Sequence, residues 1–322
     1  MKRGLVIGKF LPLHYGHLAL IRFASQRCDE LIVSLSHKVD DPIPYEIREQ
    51  WLRTECNAWE NVQIASSPDD FDNEQLPIIE RTALWAAFIR KRFPRIDVLF
   101  SSEEYGEPFA AHLNIPHESF DPDRKSIPVS ATMIRSNPMK NWGFLPPSVR
   151  PWYVKKICLF GPESTGKSTM SKLLAEHYST SFVPEVAREL ISSNDFSAQD
   201  IVRIGDAQGE RYFEKLKHAN RLLFCDTDHI TTAIYARHYL GFVPPSIDAW
   251  IEKIRYDQYY FFDIDVPWVD DGLRDLGHVR EKMREEFRLE LEQRRIPFVW
   301  VRGDYESRFQ QMKSSMDSLL TM

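Results

Sequence analysis

The chain has 322 residues, of which 43% are hydrophobic and 27% charged, so it can bury a sizeable core and is long enough for two domains. A formal net charge of −6 argues against a large sequence-independent nucleic-acid surface, and we expect small anions rather than nucleic acid as partners. The sequence starts without a signal-peptide pattern and has no apolar run that could span a bilayer, which predicts a cytoplasmic protein without stable membrane association.

Apolar runs alternate with amphipathic stretches through the first half of the chain. Strands are predicted at residues 5–7, 31–35, 62–65 and 98–100, with helices between them. This alternation is typical of βαβ units around a parallel sheet. We therefore expect an α/β fold.

The first predicted strand ends in a loop that reads G-K-F-L-P-L-H-Y-G-H over residues 8–17. The loop places His14 and His17, with backbone N–H groups, at the start of the next helix, where the macrodipole favours an anion. In this strand–loop–helix context it resembles the signature of the nucleotidyltransferase superfamily. The alternative is that the two histidines merely cap a helix.

A second segment, residues 129–135, reads V-S-A-T-M-I-R and resembles the I-S-x-T-x-x-R motif that closes the site in that superfamily. The resemblance implies that Ser130 and Arg135 hold the β- and γ-phosphates of ATP, and that Thr132 also binds the nucleotide. The alternative is a helix-capping serine and a solvated arginine.

The chemistry implied by these two motifs is attack of a mononucleotide phosphate on the α-phosphate of ATP, with pyrophosphate as the leaving group. Because the nucleophile is already an anion, catalysis rests on positioning and charge stabilisation rather than on a protein base. We expect Mg²⁺ to bridge the ATP phosphates. The predicted catalytic and nucleotide-binding residues of this site are Lys9, His14, His17, Arg135, Gly8, Phe10, Ser130 and Thr132.

The spelling of the first loop separates two subfamilies. G-K-F-x-P-x-H-x-G-H resembles the nicotinamide mononucleotide (NMN) adenylyltransferase domain of NadR-type proteins, whereas pantetheine-phosphate adenylyltransferases usually carry aspartate where this chain has Leu11. Tyr105 matches the S-E-x-Y-G segment of the NadR family and lies at the carboxyl end of a strand. Of the tryptophans that could stack on a base, Trp85 is favoured over Trp51 and Trp59, since it lies near that rim; the alternative is that each of them belongs to the core. Tyr105 and Trp85 are therefore predicted to bind substrate.

The alternation breaks at residues 137–147 and restarts at residues 155–161, which places a domain boundary near residues 148–154. We expect an NMN adenylyltransferase domain at residues 1–150 and a second, P-loop domain at residues 151–322.

The second half repeats the βα alternation. Strands are predicted at residues 221–225 and 297–301, and helices after Lys167 and at residues 230–240. The charged stretch 278–295 has an apolar residue at every fourth position, so we expect a helix that packs one narrow face on the domain.

Residues 161–168 read G-P-E-S-T-G-K-S between a predicted strand and a predicted helix, and match a Walker A phosphate loop. In such a loop the backbone N–H groups wrap the phosphates, Lys167 reaches the β- and γ-phosphates, and Ser168 ligates Mg²⁺. A Gly-rich turn that binds no nucleotide is the alternative. The other predicted nucleotide-binding residues are Gly161, Glu163, Ser164, Thr165, Gly166 and Thr169.

Two carboxylates compete for the role of catalytic base in this half. Asp226 ends an apolar run and fits a ligand of Mg²⁺ or an acceptor for a substrate hydroxyl, unless it is only a turn residue. Glu185 follows a short β-prone run, a position from which P-loop nucleoside kinases accept the proton of the sugar hydroxyl. The sequence does not choose between them. Asp228, in the string D-T-D-x-x-T-T, is predicted to bind substrate.

Residues 270–277 and Arg280 resemble a mobile kinase lid that brings arginines over the transferred phosphoryl group. Arg274 and Arg280 are therefore predicted to bind the ATP phosphates. The alternative is a solvated, charge-rich loop.

The resemblance covers nearly the whole chain and indicates a bifunctional NadR-type protein: a Rossmann-like NMN adenylyltransferase domain followed by a P-loop ribosylnicotinamide kinase domain, both with parallel sheets. It implies that nicotinamide riboside becomes NMN in the second domain and that NMN becomes NAD in the first, with ATP and Mg²⁺. Some family members begin with a helix-turn-helix domain. This chain starts almost at the first strand, so we expect no DNA-binding module and no repressor activity.

Three alternatives stay open at this point. The nearest is a fusion of pantetheine-phosphate adenylyltransferase with dephospho-coenzyme A kinase, against which Leu11 argues. The others are a non-catalytic nucleotide sensor and a chain with one active domain. Pro184 stands where some relatives have an aromatic residue, which puts the kinase's substrate preference in doubt. The oligomeric state, including a homo-oligomer, is also left open.

Overall fold

The computed structural model of the chain describes residues 1–191, 196–269 and 276–321. The chain divides into two compact units, Met1–Val149 and Arg150–Met322. In each unit the named strands form one five-stranded sheet in which all neighbours run parallel, so the expected α/β fold is confirmed. Within these described ranges, every helix is too short or too polar to cross a membrane.

The first unit is a parallel sheet with helices between its strands. Its elements in chain order are β1 (Arg3–Gly8), α1 (Tyr15–Ser25), β2 (Glu30–His37), α2 (Tyr45–Cys56), β3 (Val62–Pro68), α3 (Ile78–Arg92), β4 (Val98–Ser101), α4 (Gly106–Leu113), β5 (His117–Ser119) and α5 (Ala131–Ser136), followed by a 3₁₀ turn at Trp142–Phe144.

The order of strands in this sheet is β3-β2-β1-β4-β5, so the chain builds to one side of β1 and then resumes on its other side at β4. Open α/β sheets bind ligands at such a reversal, beside the carboxyl ends of the strands. Gly8 ends β1 and Ser101 ends β4, so the site of this unit belongs beside these two residues.

The four strands predicted in this half are confirmed by β1 to β4. They are found because strands covered on both faces read as continuous apolar runs. The sequence does not predict β5, because its three residues, His117–Ser119, are polar and carry no apolar pattern.

The second unit has the same layered plan. Its elements are α6 (Arg150–Tyr153), β6 (Lys155–Phe160), α7 (Lys167–His177), β7 (Phe182–Val183), α8 (Ala187–Leu190), α9 (Ala198–Leu216), β8 (Leu222–Asp226), α10 (His229–Leu240), α11 (Pro245–Lys253), β9 (Gln258–Phe262), a 3₁₀ turn (Gly277–Val279), α12 (Arg280–Gln293), β10 (Phe298–Val301) and α13 (Tyr305–Thr321).

The strand order is β10-β9-β6-β8-β7, with β6 between β9 and β8. The strands predicted at 221–225 and 297–301 correspond to β8 and β10, each starting one residue later than expected. The helix predicted after Lys167 corresponds to α7, and the helix predicted at 230–240 corresponds to α10. The four-residue spacing in α12 is also confirmed, since Met283, Phe287 and Leu291 are buried in the core. The short aromatic strand β9 is not among the strands that the sequence analysis identified.

Candidate active sites

His14 and His17 form the entrance to α1. His14 is the N-cap, and its Nδ1 accepts a hydrogen bond of 3.3 Å from the backbone N–H of His17. The two imidazoles stack with their centroids 3.7 Å apart and their planes 20° apart. A side chain at Gly16 would place its Cβ 3.0 Å from the His14 ring, so the glycine of the motif lets the rings approach the backbone. Capping is therefore part of the role of His14, but both rings also line a cavity.

Both histidines are neutral at physiological pH. Burial, with a smaller contribution from Arg124, lowers the pKa of His14 to about 4. The pKa of His17 is also well below its usual value, because of burial first and of His14 and Arg124 next. Since Nδ1 of His14 accepts a hydrogen bond, its proton resides on Nε2. The rings thus offer N–H donors to a phosphate rather than positive charge.

The two sequence motifs of this unit meet around one cavity of about 470 Å³. Arg135 donates a hydrogen bond of 2.5 Å to the carbonyl of Leu11 in the first loop, and one of 3.1 Å to Thr132. Ser130 caps α5 through a 3.2 Å bond from the N–H of Met133. The predicted residues that line the cavity are Gly8, Lys9, Phe10, His14, His17, Tyr105, Ser130, Thr132 and Arg135.

Two ion pairs line the same cavity, and two of their members, Glu74 and Arg124, are missed by the sequence analysis. Lys9 Nζ lies 2.6 Å from an Oε of Glu74, and a guanidinium nitrogen of Arg124 lies 2.8 Å from an Oε of Glu103. Both carboxylates are exposed, so they can be exchanged for the oxygens of a phosphate at modest cost. No motif marks Arg124 or Glu74, because both belong to polar loops.

A fully buried arginine holds the first loop in place through hydrogen bonds to backbone carbonyls. Arg48 of α2 donates bonds of 2.6 Å to the carbonyl of Lys9 and 3.3 Å to that of Ser36, and pairs with Asp41 at 2.7 Å. The sequence gives no signal for this residue, since a helical arginine is usually a surface residue.

A second cavity, of about 200 Å³, adjoins the first and shares Ile7, Gly8, Lys9 and Tyr105 with it. Trp85 lines its wall although only 9% of the residue is exposed, so most of its ring belongs to the core. The Tyr105 hydroxyl donates a 2.8 Å bond to the carbonyl of Ile7, which leaves its ring as the available surface.

In the second unit, the loop between β6 and α7 has the geometry that its sequence requires. Gly161 and Gly166 have φ values of +136° and +88°, which side chains rarely adopt. Lys167 Nζ donates bonds of 2.8 Å and 2.7 Å to the carbonyls of Gly161 and Pro162. Gly161 also lets the loop pack closely on β9, because a Cβ there would lie 2.8 Å from the carbonyl of Phe262 and clash with it.

This loop borders a cavity of about 230 Å³. Tyr305, at the start of α13, also lines it and is missed by the sequence analysis. The loop residues that line the cavity are Glu163, Ser164, Thr165, Gly166, Lys167, Ser168 and Thr169.

Asp226 and Glu185, which the sequence could not rank, have different positions. Asp226, the last residue of β8, is 2% exposed, lies near Ser168, and has one buried oxygen without a hydrogen-bond partner among the described residues. Burial, followed by the charge of Glu185, raises the pKa of Asp226 to about 6. An unpaired carboxylate oxygen beside the Walker serine fits a Mg²⁺ ligand, which also needs phosphate oxygens and water.

Glu185 lies on the wall of the phosphate cavity and also on that of a neighbouring cavity of about 100 Å³. Its carboxylate pairs with Arg188 at 2.8 Å. The neighbouring cavity has an aromatic wall of Phe196, Tyr235 and Tyr239, which no sequence motif marks.

The structure places two of the predicted residues of this unit outside these two cavities, and their roles stay predictions. Asp228 lines neither of these cavities; it caps α10, accepting 2.9 Å bonds from the N–H of Thr231 and the hydroxyl of Tyr259. Arg280 lines neither cavity and instead donates to the carbonyls of Val266 and Ser164, at 2.7 Å and 3.0 Å. Asp228 lies away from these cavities because it caps a helix, and Arg280 lies away from them because it binds two backbone carbonyls. Arg274 lies outside the described residues.

Comparison with known proteins gives the same division of the chain. The family model "Cytidylyltransferase-like" matches residues 5–137, and the model "AAA domain" matches residues 156–308. The trifunctional NAD biosynthesis/regulator protein NadR of Escherichia coli (strain K12) is 32% identical over 338 residues, covering 95% of this chain and 80% of that protein.

Two crystal structures share the fold. The structure of NadR protein in complex with NR has a TM-score of 0.82 at 23% identity and covers 98% of this chain and 95% of its own. The structure of NadR protein in complex with NAD and AMP-PNP has a TM-score of 0.81 at 23% identity, with coverage of 100% and 96%. Because 95% of this chain matches NadR of Escherichia coli at 32% identity, the chain belongs to the NadR family.

Proposed function

We propose that the chain is a bifunctional enzyme of NAD biosynthesis. The second unit phosphorylates nicotinamide riboside to NMN with ATP, and the first unit transfers the adenylyl group of ATP to NMN, giving NAD and pyrophosphate. The observation that carries this proposal is that each unit joins a phosphate-loop cavity to a second cavity through shared wall residues. The NadR relative is named for NAD biosynthesis, and the two related structures hold NR, or NAD and AMP-PNP, which supports these substrates.

In the first unit the phosphate of NMN attacks the α-phosphorus of ATP, and the bond to the β-phosphate oxygen breaks. The nucleophile is already an anion, so the neutral imidazoles of His14 and His17 donate hydrogen bonds to phosphate oxygens and accept no proton. Lys9 and Arg135 supply positive charge, once Lys9 exchanges Glu74 for phosphate. Trp85 and the ring of Tyr105 form the wall against which the nicotinamide lies.

In the second unit the nucleophile is a ribose hydroxyl, which must lose a proton. We assign the base role to Glu185, because it is on the wall of both cavities, where the hydroxyl and the γ-phosphate meet. Lys167 and the loop N–H groups hold the phosphates of ATP. Ser168 and Asp226 would hold Mg²⁺, which neutralises charge on the β- and γ-phosphates when bound.

The aromatic wall of the smaller cavity suits the nucleoside. The pyridinium ring of nicotinamide riboside is a cation, and the faces of Tyr235 and Tyr239 attract cations. Glu163 on the same wall adds negative charge, while the charge of Glu185 is paired with that of Arg188. A neutral or anionic nucleoside gains less from such a wall.

The proposal is tested by incubating the purified protein with Mg-ATP and nicotinamide riboside and separating the products by chromatography over time. We expect NMN to rise first and NAD to follow. A protein that binds ATP and forms neither product would be a nucleotide sensor instead, and turnover of coenzyme A intermediates alone would contradict the proposed substrates.

A further inference from the structure

The phosphate cavity and the nucleoside cavity of the second unit meet at a common wall. The residues that line both cavities are Glu163, Glu185, Arg188, Thr227, Thr231 and Tyr235. Among the described residues, Arg188 is the only cation on this common wall, and the only one that lines the nucleoside cavity. A phosphoryl group that moves from ATP to the nucleoside therefore passes close to these residues.

Arg188 lies beside Glu185, the proposed base. Arg188 belongs to α8, which follows β7 at the carboxyl edge of the sheet. Its Nε donates a 2.8 Å hydrogen bond to Glu185 Oε2, and its side chain is 35% exposed.

We propose that Arg188 is a catalytic residue of the kinase reaction, whose guanidinium contacts the phosphoryl group during its transfer. This inference rests on the proposed function of the second unit. The bond between the γ-phosphorus and the β–γ bridging oxygen breaks, and the electron pair leaves with ADP. A new bond forms between the γ-phosphorus and the ribose hydroxyl oxygen, and the hydroxyl proton goes to Glu185. Arg188 stays protonated throughout.

The demand for a cation at this position follows from the transition state. Negative charge spreads over the three equatorial oxygens of the phosphoryl group as it separates from ADP. Lys167 supplies positive charge on the ATP side, where Ser168 and Asp226 would hold Mg²⁺, and Arg188 supplies positive charge on the acceptor side. A planar fork of N–H donors matches two of these oxygens, which the single ammonium of lysine cannot do.

The test compares R188A and R188K with the wild type, using R203A as a matched control. Arg203 also pairs with a carboxylate three residues away, Asp200, at 3.5 Å, but lines neither cavity. We expect R188A to lower kcat for nicotinamide riboside by about 10²- to 10³-fold with KM changed less than about threefold. R188K should recover only part of the rate, guanidinium chloride should rescue R188A, and R203A should behave as the wild type.

A purely structural role would predict loss of rate without guanidinium rescue, and an unchanged kcat in R188A or a loss confined to KM would equally overturn the inference. Binding offers a readout without turnover: R188A should bind AMP-PNP normally, but ADP–aluminium fluoride with nicotinamide riboside at least tenfold more weakly. Equal affinities would contradict the inference. Failure of the wild type to form NMN would instead contradict the proposed function.

Discussion

The two phosphate loops of the chain occupy equivalent places but hold phosphate by different means. Each follows a strand with neighbours on both sides, β1 in the first unit and β6 in the second. The first loop presents the side chains of His14 and His17, both neutral, whereas the second turns its backbone around Lys167. The second unit also keeps Glu185 and Asp226 beside its loop. The difference follows from the nucleophile: a phosphate anion needs donors alone, while a hydroxyl needs a base.

Both loops share one device, a fully buried arginine that binds a loop carbonyl. Arg48 donates a 2.6 Å bond to the carbonyl of Lys9, and Arg308 donates a 2.5 Å bond to the carbonyl of Thr165. Arg308 also pairs with Asp265, as Arg48 pairs with Asp41. Different phosphate chemistry is thus built on the same means of fixing a loop, since catalysis by positioning depends on a rigid backbone.

The largest expected effect is that of Lys167→Ala. We expect phosphorylation of nicotinamide riboside to fall about a thousandfold or more, because the phosphate loop loses its cation, while adenylylation of NMN is unchanged. Both rates are measured on one preparation. Lys172→Ala, an exposed lysine of the same helix, is the control and should leave both rates intact. Equal loss of both activities in K167A would contradict separate sites.

His17→Ala should do the reverse, with a loss of about 10²- to 10³-fold in adenylylation. The imidazole is replaced by a methyl group, so a hydrogen bond to the reacting phosphate is lost without any change in the kinase cavities. The NMN-to-NAD rate and the riboside kinase rate are compared. An unchanged adenylylation rate would remove His17 from the site.

The two carboxylates of the second unit are separated by their response to metal. Glu185→Gln should lower kcat for the riboside by about 10²-fold or more at any Mg²⁺ concentration, because the base is lost. Asp226→Asn should lose activity that rising Mg²⁺ partly restores, because a metal ligand is weakened. Kinase rates are titrated with Mg²⁺ in both variants. The opposite pattern would exchange the two roles.

The smallest effect expected is a shift in titration. Because burial lowers the pKa of His14 to about 4, its NMR signals in the free protein should not change between pH 6 and 8, and should move only near pH 4. The unfolded chain binds this proton near pH 6.5, so the free energy of unfolding should fall as the pH drops from about 6.5 towards 4. A midpoint near 6.5 in the folded protein would show a charged donor instead of a neutral one.

The fold and the loops could be predicted because their signals are local. Buried parallel strands read as apolar runs, and both phosphate loops are contiguous strings whose glycines are required by the backbone. Arg48, Arg124, Arg188 and Arg308 could not be predicted, because an arginine in a polar stretch looks the same whether it faces water or folds back onto a distant loop.

Asp228 is a residue for which the sequence context predicts a binding role that the structure does not show. A carboxylate after a strand has the same sequence context whether it faces a cavity or caps the next helix, and here the helix start takes it. Asp226 and Glu185 were left unranked for a similar reason. The structure separates them, because Asp226 lies near Ser168 and Glu185 lines both cavities.

The most direct test of two independent sites is to mix the K167A and H17A variants with Mg-ATP and nicotinamide riboside and to follow the products. The K167A variant alone should leave the riboside unchanged, and the H17A variant alone should accumulate NMN. The mixture should form NAD after a lag, because each variant supplies the step that the other lacks. NAD from either variant alone, or none from the mixture while H17A makes NMN, would contradict the account.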